Sequence, residues 1–342
     1  MLRTMFRRVV FTLCFCAVVG IASGGERTVT VFTTRSNKGD KAAMQDFETV
    51  TGIKVNVVEG KADELIDRIV KNAAAPEADL FITVDGGVLN TAKRKDVFQT
   101  TSSSVLEESV PRHLRDRDNA WVGVSTRARA IIYAKERVKP EELSTYMDLA
   151  DPKWKGRVLA RSSGALYNQS LLCGLIYAYG SEKATEWAAG VAANLARAPK
   201  GGDRDQAKAI AAGEGDVAIM NTYYIGQMLN SKDAEELAAG RKMGIFFPDQ
   251  DAAGTSVNIC GVGLVKNAPN ADAAMKLVEY LVSVPVQERL AAINYEFPVN
   301  PKAKKSELVA SWGDFKAQRV DFSKMDEYGN CAKFIFSKTD WK

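Results

Sequence analysis

Residues 121–133 read WVGVSTRARAIIY, a run whose composition favours a single extended strand. The run is more than twice as long as an average strand of ~5–6 residues. A second long run, TSVNICGVGLV, occupies residues 255–265. Two strands that each pass from one domain into another form a hinge, about which the domains can close on a ligand. We therefore predict two lobes that are connected by two strands.

Strand and helix patterns alternate on both sides of the first long run. Strands are predicted at residues 28–33, 53–58 and 78–83, with helical patterns between them. Between the two long runs, helices are predicted at residues 168–179, 182–194 and 203–212, and strands at 156–160 and 216–220. This alternation is typical of parallel sheets covered by helices, so the predicted fold class is α/β.

The length of 342 residues exceeds the ~100–150 residues of a typical domain and suits two lobes. The predicted division is a signal peptide at residues 1–24, a first lobe at 25–125, a second lobe at 126–255, a return to the first lobe at 256–300, and a helical tail at 301–342 that packs on a lobe surface.

The first residues have the pattern of a secretory signal. Arg3, Arg7 and Arg8 precede the apolar residues 9–21, a run shorter than the ~20 residues that cross a membrane. We expect cleavage and release into the periplasm as a monomer, with no membrane insertion afterwards. Cys14 and Cys16 lie inside the run and not at its end, where a lipid-modified cysteine would stand.

Charge and motifs narrow the function classes. The 46 basic and 42 acidic residues form no long run of like charge, so nothing indicates nucleic-acid binding. The single histidine, His113, excludes a multi-histidine metal site and is expected at the surface. Phosphate-binding loops and the G-x-S-x-G motif are absent from the sequence. We therefore expect a binding protein and not an enzyme.

Three cysteines, Cys173, Cys260 and Cys331, follow the predicted signal and contain no C-x-x-C pair. In an oxidising compartment, two of them can form a disulfide and leave the third as a free thiol. Cys173 lies in an apolar stretch that favours burial as a small hydrophobic residue. The sequence pattern does not specify a pairing.

Tyrosines follow two predicted strands of the second lobe. Tyr223 and Tyr224 come directly after residues 216–220, and Tyr167 lies between a predicted strand and a helix. Ligand sites of α/β sheets lie beyond the carboxyl ends of strands, so we expect all three at one rim. Packing of the rings at a lobe interface is the alternative. A phenolate is a hard anionic ligand that suits Fe³⁺, whereas Ca²⁺ and Mg²⁺ prefer carboxylates and carbonyls.

Several strings together resemble a known family. They are VFTTRSNKGD at residues 31–40, GVSTRARAIIY at 123–133, RSSGALYNQSLL at 161–172 and NTYYIGQ at 221–227. The chain resembles the periplasmic ferric-ion-binding proteins of bacterial iron ABC transporters, a transferrin-like branch of the two-lobed, type II periplasmic binding proteins. The resemblance covers nearly the whole chain after the predicted signal. It implies Tyr167, Tyr223 and Tyr224 as metal ligands, with Arg127 and Arg35 near the metal or holding an anion.

The first lobe departs from the family pattern. Many relatives carry His-Tyr after the arginine, but this chain has Ser36 and Asn37 after Arg35. Neither is a good Fe³⁺ ligand, although both are candidates for weak first-lobe contacts. We therefore predict that the first lobe supplies no strong side-chain ligand and that a synergistic anion, preferably carbonate, completes the coordination of the metal from beside Arg35.

The resemblance implies a protein that passes ferric iron to an inner-membrane ABC permease and its ATPase. The same fold also carries small organic ligands such as a phosphonate, a polyamine or thiamine, and that cargo is the alternative. An exported enzyme on the same scaffold is disfavoured, because the sequence shows no nucleophile and base pair.

Overall fold

A computed structural model describes residues 27–325 and 327–342, so the predicted signal peptide, with Cys14 and Cys16, lies outside the described residues. The described strands are β1 Thr28–Thr33, β2 Lys54–Glu59, β3 Leu80–Thr83, β4 Val122–Ala134, β5 Val158–Leu159, β6 Val217–Asn221, β7 Met243–Phe246 and β8 Val257–Leu264. The described α-helices are α1 Lys38–Thr51, α2 Ala62–Lys71, α3 Gly86–Arg94, α4 Ser104–Ser109, α5 Leu166–Ala193, α6 Asp203–Ala211, α7 Thr222–Leu229, α8 Ala234–Lys242, α9 Ala271–Leu281, α10 Val284–Asn294, α11 Glu307–Ala310 and α12 Glu327–Lys338.

The strands follow the order β2-β1-β3-β8-β4-β6-β5, and β7 pairs with β4. β1 is parallel to β2 and to β3, as the alternating pattern predicts. β8 runs antiparallel to β3 and β4, and β4 runs antiparallel to β6 and β7. The sheet is therefore mixed and not purely parallel, because the two long strands enter it in opposite directions.

The long strand β4 is shared by two groups of strands. Its first half pairs with β8, from Val122 opposite Val262 to Ala128 opposite Val257. Its second half pairs with β6 and β7, with Arg129 opposite Asn221 and Ala134 opposite Met243. Both long strands predicted from the sequence are confirmed, and they connect the two halves of the molecule.

The helix α5 occupies the stretch where the sequence predicts two helices. It runs through Leu166–Ala193 with a break at Gly180, whose φ of 84° and ψ of 164° are not helical. L-residues with a side chain rarely adopt this conformation, so glycine permits the change of direction. The two predicted helices are thus two straight segments on either side of one kink.

The C-terminal tail contacts elements from both halves of the chain. α12 packs on α5, and Trp341 packs on Trp187 with ring centroids 5.6 Å apart. The carbonyl oxygen of Phe322 accepts a hydrogen bond from the side chain of Asn90, on α3. The tail therefore joins α3 to α5.

Cys173, Cys260 and Cys331 form no disulfide with one another in the structure. In the part of the chain that the structure describes, no helix combines the length and the apolar character needed to span a membrane.

Candidate metal centre

Two helices that begin at the same rim bring the three tyrosines together. α7 starts directly after β6, so Tyr223 and Tyr224 lie in its first turn, and Tyr167 lies in the first turn of α5. The phenol oxygens of Tyr167 and Tyr223 are 3.3 Å apart. The ring centroids of Tyr223 and Tyr224 are 4.3 Å apart. The three hydroxyl-bearing rings thus form one cluster.

The environment of the cluster disfavours ionisation of two of its phenols when no cation is present. Tyr223 is buried, and its burial, together with Tyr167 and Tyr224, raises its pKa well above the usual value. Burial and Tyr167 likewise raise the pKa of Tyr224, against the opposing effect of Arg161. Both groups are therefore protonated at neutral pH until a positive charge replaces their protons.

Three arginines surround the ring of Tyr167. The guanidinium carbons of Arg127, Arg129 and Arg161 lie 5.8, 5.9 and 5.5 Å from its centroid. Arg129 and Arg161 bind the two oxygens of buried Asp203, at 2.6 and 3.1 Å. The ring thus lies among three positive charges. The carboxylate of Asp203 offsets part of the charge of Arg129 and Arg161.

Asp203 also ties this cluster to the strand that precedes the tyrosine pair. Its carboxylate accepts a hydrogen bond from the backbone N–H of Asn221, at 2.8 Å. Asn168 accepts from Arg129 at 2.9 Å and donates to the carbonyl of Arg161 at 3.0 Å. These bonds fix the starts of α5 and α7 relative to β4.

Arg127 has buried donors that the protein does not satisfy. Its side chain is buried, and neither Nη1 nor Nη2 has a hydrogen-bond partner among the described residues. Arg127 lines a cavity of about 10 Å³ beside Tyr167, and Ser170, Asn221 and Asn258 also line it. Buried polar groups in proteins are nearly always paired, so these two nitrogens indicate a missing acceptor at this position.

Arg35 has a different environment from Arg127. Its Nε donates to Asp40 at 2.6 Å, and its Nη1 and Nη2 donate to the two oxygens of Glu296 at 2.9 and 2.6 Å. Glu296 also accepts from Ser125 at 2.8 Å. All three guanidinium nitrogens of Arg35 therefore bind carboxylates, and these contacts give no support to the predicted binding of an anion.

The first-lobe candidates lie at the start of α1. Ser36 is exposed, and Asn37 is half-buried at the N-cap of α1, where its side chain makes no capping hydrogen bond. No hydrogen bond in the described residues joins either side chain to the three tyrosines. Their contact with a bound metal stays a prediction.

Arg129, Arg161 and Asp203 are not among the site residues predicted from the sequence. A signal for Arg129 was present, because Arg127 and Arg129 are two positions apart on β4 and therefore project from the same face of the strand. The link from Arg129 to Asp203 spans 74 residues and follows only from the fold.

A hydrogen-bond cluster close to the tyrosines joins α3 to α5 and β8. The carboxylate of Asp85, at the N-cap of α3, accepts from the Ser170 hydroxyl at 2.5 Å and from the Asn258 amide at 2.7 Å. Ser170 lies about one turn beyond Tyr167 on α5. The cleft side of α5 is thus bonded to the first half of the molecule.

Across the described residues, no group of three or more histidine, cysteine, aspartate or glutamate side chains is arranged to hold a metal ion. The ligand sets typical of Zn²⁺ and Ca²⁺ are therefore not assembled in this part of the chain. The tyrosine cluster offers hard oxygen donors of another kind.

Residues 75–324 match the family described as bacterial extracellular solute-binding protein. The chain belongs to this family. The solute-binding protein is 44% identical to iron uptake protein A1 of Synechocystis over 95% of this chain and 91% of that protein. Its membership agrees with the prediction of a binding protein and not an enzyme.

Solved structures confirm the two-lobed fold of this solute-binding protein. A Trichodesmium protein in complex with iron and citrate has a TM-score of 0.88 and 42% identity, covering 92% of this chain and 100% of that one. A ferric binding protein from Campylobacter jejuni has a TM-score of 0.86 and 40% identity, covering 91% and 98%.

Proposed function

We propose that this solute-binding protein binds ferric iron through the phenolate oxygens of Tyr167, Tyr223 and Tyr224. The observation that carries the proposal is the convergence of the three rings, with two of the phenol oxygens 3.3 Å apart. Tyr223 is buried and Tyr167 and Tyr224 are half-buried, which supports a role inside the cleft. The names of the relatives, an iron uptake protein and a ferric binding protein, support the same cargo.

The charges of the site suit a trivalent cation. Three phenolates balance three positive charges, and a bound cation lowers the pKa of the groups that coordinate it. Arg129 and Arg161 then stabilise negative charge on the tyrosine oxygens, while Asp203 holds both arginines in place. A neutral organic ligand would gain little from three adjacent phenols that all become anionic.

We further propose that Arg127 holds the synergistic anion, with carbonate as the preferred ion. Its two unpaired nitrogens can donate in parallel to two oxygens of a planar anion. Such an anion beside Tyr167 would fill metal positions that the three phenolates leave open. Arg35 then stabilises the hinge, because Asp40 and Glu296 engage all of its nitrogens.

A transport role follows from the proposed cargo, and the family supports it. We propose that residues 1–24 are a signal peptide that directs export and is then cleaved. The protein acts as a monomer in the periplasm and delivers iron to an ABC permease with its ATPase. The family match to extracellular solute-binding proteins supports this location.

The double variant Tyr167→Phe, Tyr223→Phe tests the proposed cargo. Iron retained after gel filtration should fall from about one per chain to near zero, because two of three anionic ligands are lost. Tyr133→Phe is the matched control, since its half-buried ring lies on β4 outside the cluster. An organic ligand would lose only one or two hydrogen bonds, about 0.5–1.5 kcal/mol each. Retention of iron by the double variant would contradict the proposal.

A further inference from the structure

A cavity of about 630 Å³ shares no lining residue with the tyrosine cavity. Three segments form it: residues 112–117 before β4, Tyr177 on α5, and residues 319–322 before α12. We name it the arginine groove, after Arg112, Arg115, Arg117 and Arg319, which line it. Its volume lies in the range of ~300–1,000 Å³ that is typical of small-molecule sites.

The carboxylates of the groove are already engaged. Buried Asp116 accepts from the ammonium of Lys93 at 2.8 Å and from the backbone N–H groups of Asp118 and Ala120. Asp321 forms an ion pair with Arg117. The two aspartates of the groove are thus paired with Lys93 and Arg117.

The other three arginines of the groove have no carboxylate partner among the residues that the structure describes. Arg112 donates to the backbone carbonyls of Asp116 and Arg117, at 2.6 and 2.7 Å. The Nε of Arg115 donates to the carbonyl of Val110 at 3.0 Å, and the exposed side chain of Arg319 has no ion pair. Three guanidinium groups thus line one cavity without a direct ion pair to a carboxylate of the described residues.

The floor of the groove is apolar. Trp121 and Phe322 are buried there, and the indole N–H of Trp121 is already donated to Asn90 at 3.2 Å. The lining of the groove therefore combines aromatic rings with guanidinium groups. This arrangement suits an organic anion better than a single hydrated ion.

We propose that the arginine groove is a second anion site, which binds a small molecule carrying two or more carboxylate or phosphate groups. Guanidinium groups bind both kinds of oxyanion in bidentate fashion. The proposed site lies between residues 112–117 and 319–322. It does not depend on iron binding by the tyrosines.

The only histidine of the chain reports on this site. His113 lines the groove, where burial and the charge of Arg319 lower its pKa. An anion bound beside Arg319 offsets that charge and should raise the pKa of His113. The ring resonances of His113 can be followed by NMR in tag-free, metal-free protein without overlap from another histidine.

The experiment titrates this protein with citrate in one arm and pyrophosphate in the other, at constant ionic strength. We expect saturable shifts of the His113 resonances and a raised pKa, and the tighter-binding anion identifies carboxylate or phosphate as the preferred group. The variant Arg115→Gln, Arg319→Gln should weaken binding about tenfold or more. Arg319→Lys keeps the charge and should weaken it less.

Two controls locate the bound anion. Arg241→Gln removes an exposed arginine on α8, far from the groove in sequence, and should leave the affinity unchanged. Arg127→Gln removes the unpaired arginine of the tyrosine cavity and should also leave the shifts of His113 unchanged. Shifts no larger than those caused by sodium chloride, or loss of binding in Arg127→Gln alone, would overturn the proposal. Thermal unfolding of each variant confirms that it is folded.

Discussion

Arg127 and Arg129 are neighbours on one face of β4, yet their environments are opposite. Arg129 is paired with Asp203 and Asn168, whereas the two terminal nitrogens of Arg127 have no partner in the described structure. A buried donor without a partner costs about 1–3 kcal/mol, and removal of one member of a buried ion pair costs about 3–5 kcal/mol. The two residues therefore make a matched pair for mutagenesis.

Arg127→Met should raise the free energy of unfolding of the metal-free protein by about 1 kcal/mol, because it removes unpaired donors. Arg129→Met should lower it by about 3 kcal/mol, because it leaves Asp203 with Arg161 as its only cationic partner. Urea unfolding measures both changes. Arg127→Met should also abolish the dependence of iron affinity on carbonate. Equal destabilisation by both variants would show that Arg127 has a structural partner.

The tyrosines give the site a pH dependence of definite sign. Burial raises the pKa of Tyr223 and of Tyr224, so iron must displace protons from phenols that are neutral without it. Affinity should therefore fall as pH falls, and proton release on binding should approach three per iron. Calorimetry in buffers of different ionisation enthalpy measures the number released. A value near zero would exclude phenolate coordination.

At the scale of elements, the site depends on where α5 and α7 begin. Gly226 lies two residues after Tyr224, and a Cβ at this position would overlap the Cβ and Cγ of Tyr295. Tyr295 ends α10 in a left-handed conformation with φ of 59°, so it has little freedom to move away. Gly226 thus sets the distance between α7 and α10.

Gly226→Ala should cost about 1–3 kcal/mol of stability, as overpacking usually does, and should displace the first turn of α7. Iron affinity should therefore fall in a protein that remains folded. Gly329→Ala on α12 is the control, because a Cβ there meets no atom within 4 Å. Unchanged iron affinity in Gly226→Ala would show that the tyrosines tolerate movement of α7.

The sequence predicts these elements better than it predicts their pairing. Apolar periodicity predicts β1 and α6 within a few residues, because periodicity reflects which face is buried. It cannot predict the antiparallel entry of β8, which depends on contacts between distant segments. It does predict the break in α5, because the helices predicted at residues 168–179 and 182–194 lie on either side of Gly180, where the backbone is not helical.

Within the candidate site, too, the sequence predicts which residues take part better than it predicts their partners. Three tyrosines and Arg127 are found from motifs, because their residue types indicate a chemistry. The partners of Arg35 are not, since the bond to Glu296 spans 261 residues. Sequence reasoning therefore places the anion beside Arg35. Only the packing shows that the nitrogens of Arg35 are engaged, whereas Nη1 and Nη2 of Arg127 have no partner among the described residues.

At the scale of the whole molecule, one buried ionic cluster joins the start of α1 to the long strands. Burial alone would raise the pKa of Glu296, but the charge and hydrogen bonds of Arg35, with Arg127 and Ser125, lower it below its usual value. A carboxylate whose pKa is lower in the folded state stabilises the protein above its unfolded pKa of about 4.3. This contribution disappears as pH falls through the folded pKa.

Glu296→Gln should therefore destabilise the protein by about 3–5 kcal/mol at pH 7, because it leaves the buried charge of Arg35 with one carboxylate partner fewer. The difference from the natural protein should shrink as the pH is lowered below about 4. Glu186→Gln, at an exposed position on α5, is the control. Unfolding curves across pH measure the effect, and a difference that does not depend on pH would contradict it.

Coordination of one ferric ion by three phenolates can be tested by a visible absorption titration. Metal-free protein is titrated with ferric citrate while the absorbance in the visible region is recorded. Coordination by phenolates should produce a phenolate-to-iron charge-transfer band that saturates at one iron per chain. A colourless complex, or saturation without any band, would show that the iron is held by other groups.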